Sequence, residues 1–462
     1  MRIVRMLPTV ALLACATAKP AAESRSESRA VPGGLSIPVE YRKLANGLKV
    51  VLSPDHTAPT ACVAVYYGIG FRIEPHDRTG FAHLFEHMMF QGSKNLGKME
   101  FIGLVQRNGG LFNGSTSFDF TNYVEVVPAN TLETILWAEA DRMKGLAINQ
   151  DNLVNQQGVV KSEVRVNVLN RPYGGFPWID MPMRANSNWA NAHNFYGELE
   201  HLDAATLPDV EKFFNQYYAP NNAVLVVTGD FESAQVGKWV DRYFAGIPQR
   251  ARPDRPDISE PRQTEEKHAT REDKLATRPA LAFAYHVPPR GTPEWFAMGL
   301  LDQILAEGKD SLLYQALVQR AGVTGEIEAT LNGLGSMFDI QGPTLFVVNL
   351  IHDADRLPEE IMKLADAEIE KVRSAPVDTA TYQRALVKMR SDLYANVEQF
   401  SGLGRAQLLA SYALFDDAPE KVNELEAEFR KVTPELLQKT AQEWLRPTNR
   451  TVLALQAKGG SK

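Results

Sequence analysis

The residues with the clearest chemistry lie in one short segment, His83-Leu84-Phe85-Glu86-His87. Positions four apart lie above one another on the same face of an α-helix, so His83 and His87 can offer imidazole nitrogens to one metal ion. Glu86 can reach a water molecule bound to that metal. Two histidines, a third ligand and one open position are the arrangement of a catalytic zinc site rather than a closed structural one. The order His-x-x-Glu-His is the reverse of the commoner His-Glu-x-x-His.

The flanks of this segment favour a metal site over the alternative of a solvated helix face. The pattern arises by chance in roughly 1% of chains of this length. A helix with apolar flanks is mostly buried, and buried His and Glu side chains need partners, which a metal supplies. The apolar residues in and around the segment are Phe81, Leu84, Phe85, Met88, Met89 and Phe90.

The composition is that of an ordinary globular chain. A length of 462 residues is too great for one hydrophobic core and predicts at least two domains. Hydrophobic residues make up 44% and charged residues 23% of the chain, which are normal proportions. The formal net charge of −7 gives no support for nucleic-acid binding. After the N-terminus, no apolar run reaches transmembrane length.

The N-terminus predicts export to the periplasm or cell envelope. Arg2 and Arg5 precede a short apolar stretch at residues 6–14, and Ala16-Thr17-Ala18 fits a signal-peptidase site. Residues 1–18 are therefore interpreted as a signal peptide.

A second interpretation of the N-terminus stays open. Leu12-Leu13-Ala14-Cys15 resembles a bacterial lipobox, which would end the signal peptide at residue 14 and leave Cys15 as a lipid-anchored N-terminus. We expect association with a membrane only in that case. In either case, the polar residues that follow predict a flexible tether over 19–37.

The elements that must position the pentad follow from hydrophobic patterning. A segment rich in Arg, Glu, Asp and Pro, residues 248–276, predicts a linker between two halves. In the first half, strands are predicted at 48–52, 62–67, 123–127 and 222–228, and helices at the pentad, at about 131–144 and at about 152–168.

The second half repeats the beginning of the first. A strand is predicted at 281–287 and a helix near 293–305. Aligning the glycines that follow the two helices places Asp302 opposite Glu86, and the equivalent of the pentad has no histidine. This pattern indicates a duplication in which only one half keeps the metal chemistry.

These motifs resemble the pitrilysin/insulinase family of zinc peptidases, over about residues 38–455. The family's third zinc ligand is a Glu about 76 residues after the second His, and Glu163 stands 76 residues after His87. Further segments match the family: Pro172-Tyr173-Gly174, Tyr217-Tyr218-Ala219-Pro220-Asn221-Asn222, Val227-Thr228-Gly229-Asp230, and the strand residues Asn113, Thr116, Asp119, Thr121 and Tyr123.

The resemblance implies a zinc endopeptidase. One zinc ion would be held by His83, His87 and Glu163, with water in the fourth position. Glu86 would be the general base, taking a proton from that water and passing it to the leaving amine. In isolation, Glu163 fits a solvated helix carboxylate equally well, and only its distance from the pentad distinguishes it.

The resemblance also implies how substrate is held. Extended peptides bind by adding a strand to a sheet edge, and the strand near Thr116 is the expected edge. Asn113 and Thr116 are the expected substrate-binding residues, although a turn-capping Asn is an equal alternative for Asn113. Enclosure between two halves would favour unfolded peptides over folded proteins.

The implied fold is α+β. Two homologous α/β sandwich-type halves, each a mostly antiparallel sheet with helices packed on it, would be joined by the linker in a clam-shell. Residues 38–247 would form the zinc-bearing half, and residues 277–462 the degenerate half without the metal motif.

Two departures from the family pattern bear on function. Some members carry a second Glu seven residues before the third ligand, where this chain has Gln156. Active members also use an Arg and a Tyr, seven residues apart, to bind substrate and stabilise the oxyanion. Val318 and Gly325 stand at those positions, while the nearby Arg320 and Tyr314 have the wrong spacing. We therefore expect a homologous partner subunit that supplies the Arg and Tyr, or a homodimer, as in the bacterial and mitochondrial processing enzymes.

Other functions stay open from the sequence. A non-catalytic scaffold or peptide-binding subunit could use the same fold, but such members typically lose a His or Glu of the motif, and here all four residues are intact. A peptide-binding envelope lipoprotein with structural zinc is a third possibility. Outside the motif, His193 and His201 fall in an Asn-rich stretch and are predicted to be surface or turn residues.

Overall fold

The computed structural model describes residues 34–252 and 254–458, which form two β-sheets with helices packed against them. The strands are β1 (Glu40–Lys43), β2 (Lys49–Pro54), β3 (Thr60–Tyr67), β4 (Leu111–Thr116), β5 (Thr121–Pro128), β6 (Ala223–Gly229), β7 (Lys267–Asp273), β8 (Ala280–His286), β9 (Glu328–Thr330), β10 (Leu345–Ile351) and β11 (Arg450–Ala457). The first sheet has the order β1-β2-β6-β3-β5-β4 and the second has the order β7-β11-β8-β10-β9.

The central strands are those whose sequences are apolar on both faces. β3, β6 and β8 are buried along almost their whole length, as suits near-continuous apolar runs. β3 pairs antiparallel with β5 and β6, which places Val65 opposite Tyr123 and Leu225. β4 pairs only with β5, so it forms one edge of the first sheet.

Helices cover the two sheets. Several begin at a residue whose side chain accepts a backbone N–H, as Thr292, Asp378 and Thr433 do. The helices are α1 (Phe81–Met88), α2 (Glu100–Arg107), α3 (Leu132–Lys144), α4 (Gln150–Val164), α5 (Asp180–Ala185), α6 (Trp189–Ala192), α7 (Leu199–Asp203), α8 (Leu207–Tyr217), α9 (Ser233–Phe244), α10 (Pro293–Leu305), α11 (Pro358–Ser374), α12 (Thr379–Val397), α13 (Leu403–Asp416), α14 (Leu425–Lys431) and α15 (Pro434–Trp444).

The predicted α+β fold class is confirmed. Each predicted strand and helix is present with its ends shifted by a few residues, except that the helix predicted at 152–168 ends at Val164 and continues as a π-helical turn, Arg165–Leu169. Among the described residues, no helix combines the length and apolar character needed to cross a membrane.

Two predicted segments contain more structure than expected. The end of the linker forms β7, which pairs in parallel with β11, because its alternating pattern buries part of one face. The end of the predicted flexible tether is also packed, since Leu35 and Ile37 lie in the core and Ile37 exchanges hydrogen bonds with Asn423. The predicted signal peptide and the lipobox lie outside the described residues.

The two sheets share one hydrophobic core. A single cluster of buried residues includes Val51 and Ala64 from the first sheet, Leu281 and Phe283 from the second, and Leu409 from α13. Helix α13 belongs to the second half of the chain but packs on β2, β3 and β6. Separating the sheets would expose this apolar surface to water, so the shared core fixes the two halves relative to each other.

A buried ion pair ties the halves together next to this core. Arg72 and Asp119, each 1% exposed, form an ion pair at 3.1 Å. The Arg72 guanidinium also donates to the Pro343 carbonyl at 2.7 Å, and Asp119 accepts from the backbone N–H groups of Gln341 and Gly342. Both charges therefore have partners in the loop before β10, in the other half.

Replacement of Asp119 tests this connection. Asp119→Ala leaves the Arg72 guanidinium buried without its counter-charge, and breaking a buried pair in this way costs about 3–5 kcal/mol. We expect a loss of that size in the free energy of unfolding, measured in urea. As control, Asp353→Ala breaks an exposed pair with Arg278 and should cost at most about 1 kcal/mol. Equal losses in the two variants would contradict this role for the buried pair.

Candidate metal centre

Helix α1 carries the pentad and is held at its start by a buried carboxylate. It begins after Gly80, whose φ of +82° suits glycine. Glu74 accepts hydrogen bonds from the N–H groups of Gly80 at 2.8 Å and Ala82 at 2.5 Å. A negative charge at a helix N-terminus is favourable because it faces the positive end of the helix dipole. Apolar residues of α1 pack into a second cluster, the first-half core, which includes Val50, Val63 and Leu225 and lies on the face of the first sheet opposite the shared core. The polar side of α1 faces α4.

The structure brings His83, His87 and Glu163 together. Their donor atoms all lie within 4.8 Å of one another, with 3.6 Å between His83 Nε2 and Glu163 Oε1 and 3.2 Å between His87 Nε2 and Glu163 Oε2. Donors about 2.1 Å from a tetrahedral zinc ion are about 3.4 Å apart, so this set fits zinc. Within 34–252 and 254–458, it is the only such group of three His, Cys, Asp or Glu residues.

The protonation states of these three groups are set by burial and by one another. Burial and the neighbouring His87 lower the pKa of His83 to about 4, so this ring is neutral at neutral pH. Burial also lowers the pKa of His87, but the Glu163 hydrogen bond and the Glu86 charge outweigh it, and the net pKa is raised. The hydrogen bond to His87 lowers the pKa of Glu163.

Glu86 lies beside this group on the inner side of the edge strand β4. Thr116 Oγ1 donates to Glu86 Oε2 at 2.8 Å. Burial raises the pKa of Glu86, which the Thr116 hydrogen bond partly offsets. Gly114 gives the carboxylate room, because a Cβ there would lie 3.1 Å from Glu86 Cγ. Glu86 is thus a partly desolvated carboxylate next to the metal ligands, which suits proton transfer.

The two residues predicted to bind substrate both lie on β4, but in different settings. Asn113 is exposed on the edge strand, where a ligand can reach it. Thr116 is buried, and its hydroxyl is engaged with Glu86. The structure therefore places Thr116 as a partner of Glu86, while the substrate role of Asn113 stays a prediction.

Three residues at the site were missed or undervalued in the sequence. Gln156 is buried and hydrogen-bonds His87, so the departure from Glu keeps a contact to the ligand. Tyr196 donates to Glu163 Oε1 at 3.1 Å, and burial and the Glu163 charge raise the pKa of this phenol to about 12. Glu74 caps α1. Sequence spacing offers no signal for Tyr196 or Glu74, because both reach the site through tertiary packing.

For the histidines of the Asn-rich stretch, predicted as surface or turn residues, the structure places His193 in the turn after α6 and His201 in α7. The His193 side chain is 6% exposed, lies 3.7 Å from Glu74 and stacks on Trp189. His201 Nδ1 lies 2.8 Å from the Thr79 hydroxyl, next to the start of α1. Both rings lie against the turn that precedes α1.

Val318 and Gly325, which stand where active family members have the Arg and Tyr, lie in the second half, as do the nearby Tyr314 and Arg320. Tyr314 and Arg320 are the ends of a π-helical turn, and Arg320 forms an ion pair with Glu368 on α11. Gly325 lines a cavity of about 670 Å³ between the halves, together with Asn167 and Trp178. The Arg320 guanidinium is therefore paired with a carboxylate of α11.

Comparisons with known proteins agree on one family. Residues 49–172 match the model described as insulinase (peptidase family M16), and residues 204–389 match the model described as the peptidase M16 inactive domain. The chain is 27% identical to the zinc protease PqqE of Helicobacter pylori over 422 residues, which cover 89% of this chain and 91% of that protein. It is 28% identical to the insulin-degrading enzyme homolog of Dictyostelium discoideum, but over only 21% of that protein's length.

Solved structures show the same architecture. The crystal structure of a protease from Helicobacter pylori matches with a TM-score of 0.84 and 26% identity, covering 91% of this chain and all of that one. A peptidase M16 inactive domain from Pseudomonas fluorescens matches with a TM-score of 0.79 at 15% identity, covering 90% of this chain and 97% of that one. At this lower identity the likeness concerns the fold alone.

Acidification should weaken zinc binding at this centre. His87 must give up its proton to donate Nε2, and its pKa is raised above the ordinary value of 6.5. Below that pKa one proton competes with the metal, so we expect the Kd for Zn²⁺ to rise about tenfold per pH unit. Glu163, with its lowered pKa, stays ionised over this range. Competition with a chromophoric chelator at several pH values measures the effect, and a Kd constant between about pH 7.5 and 5.5 would contradict it.

Proposed function

Because the chain belongs to the M16 (insulinase) family of peptidases, we propose that it is a zinc-dependent endopeptidase that hydrolyses extended or unfolded peptides. The observation that carries the proposal is the meeting of His83, His87 and Glu163 with Glu86 beside them. The inactive-domain match begins at residue 204, whereas His83, Glu86, His87 and Glu163 all lie within the insulinase match at 49–172.

Each residue of the centre has a role in this reaction. One zinc ion, when bound, lowers the pKa of a water molecule and polarises the peptide carbonyl. His83, His87 and Glu163 hold this ion. Glu86 takes the proton of the attacking water and delivers it to the leaving amine. Thr116 keeps the Glu86 carboxylate oriented toward the ligands through its 2.8 Å hydrogen bond.

The edge strand β4 is the proposed binding site for substrate backbone. It ends at Thr116, so a peptide added alongside it passes next to Glu86. Only an extended segment can pair in this way, which favours unfolded peptides. The exposed Asn113 is the side chain proposed to contact the substrate.

A peptide-cleavage assay of a variant that replaces one carboxylate oxygen by an amide group tests the proposal. Glu86→Gln removes the proton acceptor but keeps the side-chain shape, so we expect loss of cleavage of a quenched, unstructured peptide library by at least a hundredfold. Zinc content should stay at one ion per chain, measured by atomic emission. Asn113→Ala serves as comparison and should raise KM more than it lowers kcat.

Equal cleavage by wild type and Glu86→Gln would contradict the assigned base. Zinc binding without cleavage, both by the wild type alone and after addition of a homologous subunit, would favour the alternative of a non-catalytic peptide-binding subunit.

We further propose that the active form contains two chains. The shared core and the buried Arg72–Asp119 pair hold the two halves of one chain together, so enclosing a peptide requires a second subunit. The Arg and Tyr used by active family members also lack counterparts with the right spacing here. A homologous subunit or a second copy would supply both the enclosure and these side chains.

The oligomeric state and activity can be measured together. We expect the purified chain to cleave peptide only in a dimeric fraction, or only after addition of a homologous subunit, as followed by light scattering on a sizing column. Full activity in a fraction that stays monomeric at assay concentration would contradict this proposal. The mass of the same purified chain distinguishes cleavage after residue 18 from lipidation of Cys15. Either result would support the proposed export to the cell envelope.

A further inference from the structure

A phenol from outside every recognised motif contacts the third metal ligand. Tyr196, in the loop between α6 and α7, is 5% exposed and donates from its hydroxyl to Glu163 Oε1 at 3.1 Å. Its ring centroid lies 5.0 Å from that of His83, edge to face. One side chain therefore contacts two of the three ligands.

The loop that carries Tyr196 is anchored to the start of α1. Gly197 has a φ of +67°, and a Cβ on it would lie 2.3 Å from the Gly80 nitrogen. The N–H of Glu198 donates to Thr79 Oγ1 at 2.9 Å, and the side chain of Asn194 accepts from the Tyr196 N–H at 3.0 Å. These contacts fix the phenol relative to the helix that bears both histidines.

Glu163 needs such a restraint more than the histidines do. Its side chain is 28% exposed, and the carboxyl torsion of Glu is broad in the absence of partners. The α-helix that carries it ends one residue later and continues as a π-helical turn. The His83 side chain, by contrast, is 3% exposed and packs against the Phe195 ring.

We propose that Tyr196 is a positioning residue, which holds the Glu163 carboxylate in the orientation that binds the metal. The identity of the metal in this inference rests on the proposed function. The bond from Tyr196 to Glu163 has the geometry of a hydrogen bond to a metal ligand from outside the ligand set. Removing such a bond typically costs 10–100-fold in metal affinity. Among the described residues none bonds the buried Nδ1 of His83, whereas Glu163 has the hydrogen bond from Tyr196 as an outer restraint.

The full-length chain with Tyr196→Phe tests this inference. The variant keeps the ring and its packing but loses the hydroxyl, and we expect the Kd for Zn²⁺ to rise 10–100-fold. Tyr382→Phe is the matched control: it also loses one phenol hydrogen bond, to the Val432 carbonyl, but lies in the second half. Its Kd should equal that of the wild type.

Two further readouts separate positioning from general stability. With Co²⁺ in place of zinc, the visible absorption of Tyr196→Phe should differ from that of the wild type, because the Glu163 ligand shifts. In a Glu163→Ala background, adding Tyr196→Phe should change the Kd less than twofold. If Tyr196→Phe reduced the affinity for Zn²⁺ equally in the wild-type and Glu163→Ala chains, the inference would be overturned. An unchanged Kd and an unchanged cobalt spectrum in Tyr196→Phe would overturn it as well.

These readouts do not depend on cleavage. Reduced affinity in Tyr196→Phe supports the inference even if the wild type cleaves no peptide. Unchanged affinity overturns it even if the wild type is fully active, and a wild type that binds no zinc overturns both proposals.

Discussion

The burial of one polar helix face is the constraint on which the metal centre depends. Helix α1 packs its apolar residues into the first-half core, which carries His83 and Glu86 inward with them. Buried imidazole and carboxylate groups are costly without partners. Partners come from other elements: α4 supplies Glu163 to both histidines, and β4 supplies Thr116 to Glu86. Glu74, in the loop before α1, accepts from backbone N–H groups at the start of the helix. The fold of the first half brings α1, α4 and β4 together at the metal centre.

The shared core gives this centre a rigid frame. Because α13 from the second half packs on the first sheet, edge strand β4 and the metal ligands keep a fixed relation to the rest of the chain. A rigid frame suits a site that must hold three donors within a few tenths of an ångström. It also means that access for substrate depends on what faces β4 from outside this chain.

In the second half, the positions aligned with the pentad make different contacts. Opposite the pentad, Gln303 donates to Asp392 Oδ2 on α12 at 2.9 Å, and the Lys388 ammonium donates to the Gln303 carbonyl. Burial raises the pKa of Asp302, the counterpart of Glu86, to about 8. The Gln303 amide therefore partners Asp392, while Asp302 Oδ1 is buried without a hydrogen-bond partner among the described residues.

Residue spacing alone predicted His83, His87 and Glu86 as candidate site residues, and apolar periodicity predicted the strands β2, β3, β5, β6 and β8 and the helices α1, α3, α4 and α10. Helical spacing and apolar periodicity are local properties that a chain shows without its fold. The third ligand Glu163 could be found only through a family resemblance, since 76 residues of chain separate it from His87. The strand at the end of the predicted linker was missed because its pattern is mostly polar, and its partner β11 lies at the far end of the chain.

The packing of the folded chain sets how these residues are restrained. It directed the Thr116 hydroxyl to Glu86, placed Gln156 on His87 and Tyr196 on Glu163, and buried Glu74 under α1. It also joined the two halves through one core and through the Arg72–Asp119 pair. These contacts join elements far apart in sequence, and their existence depends on packing geometry and burial, which the spacing of residue types does not encode.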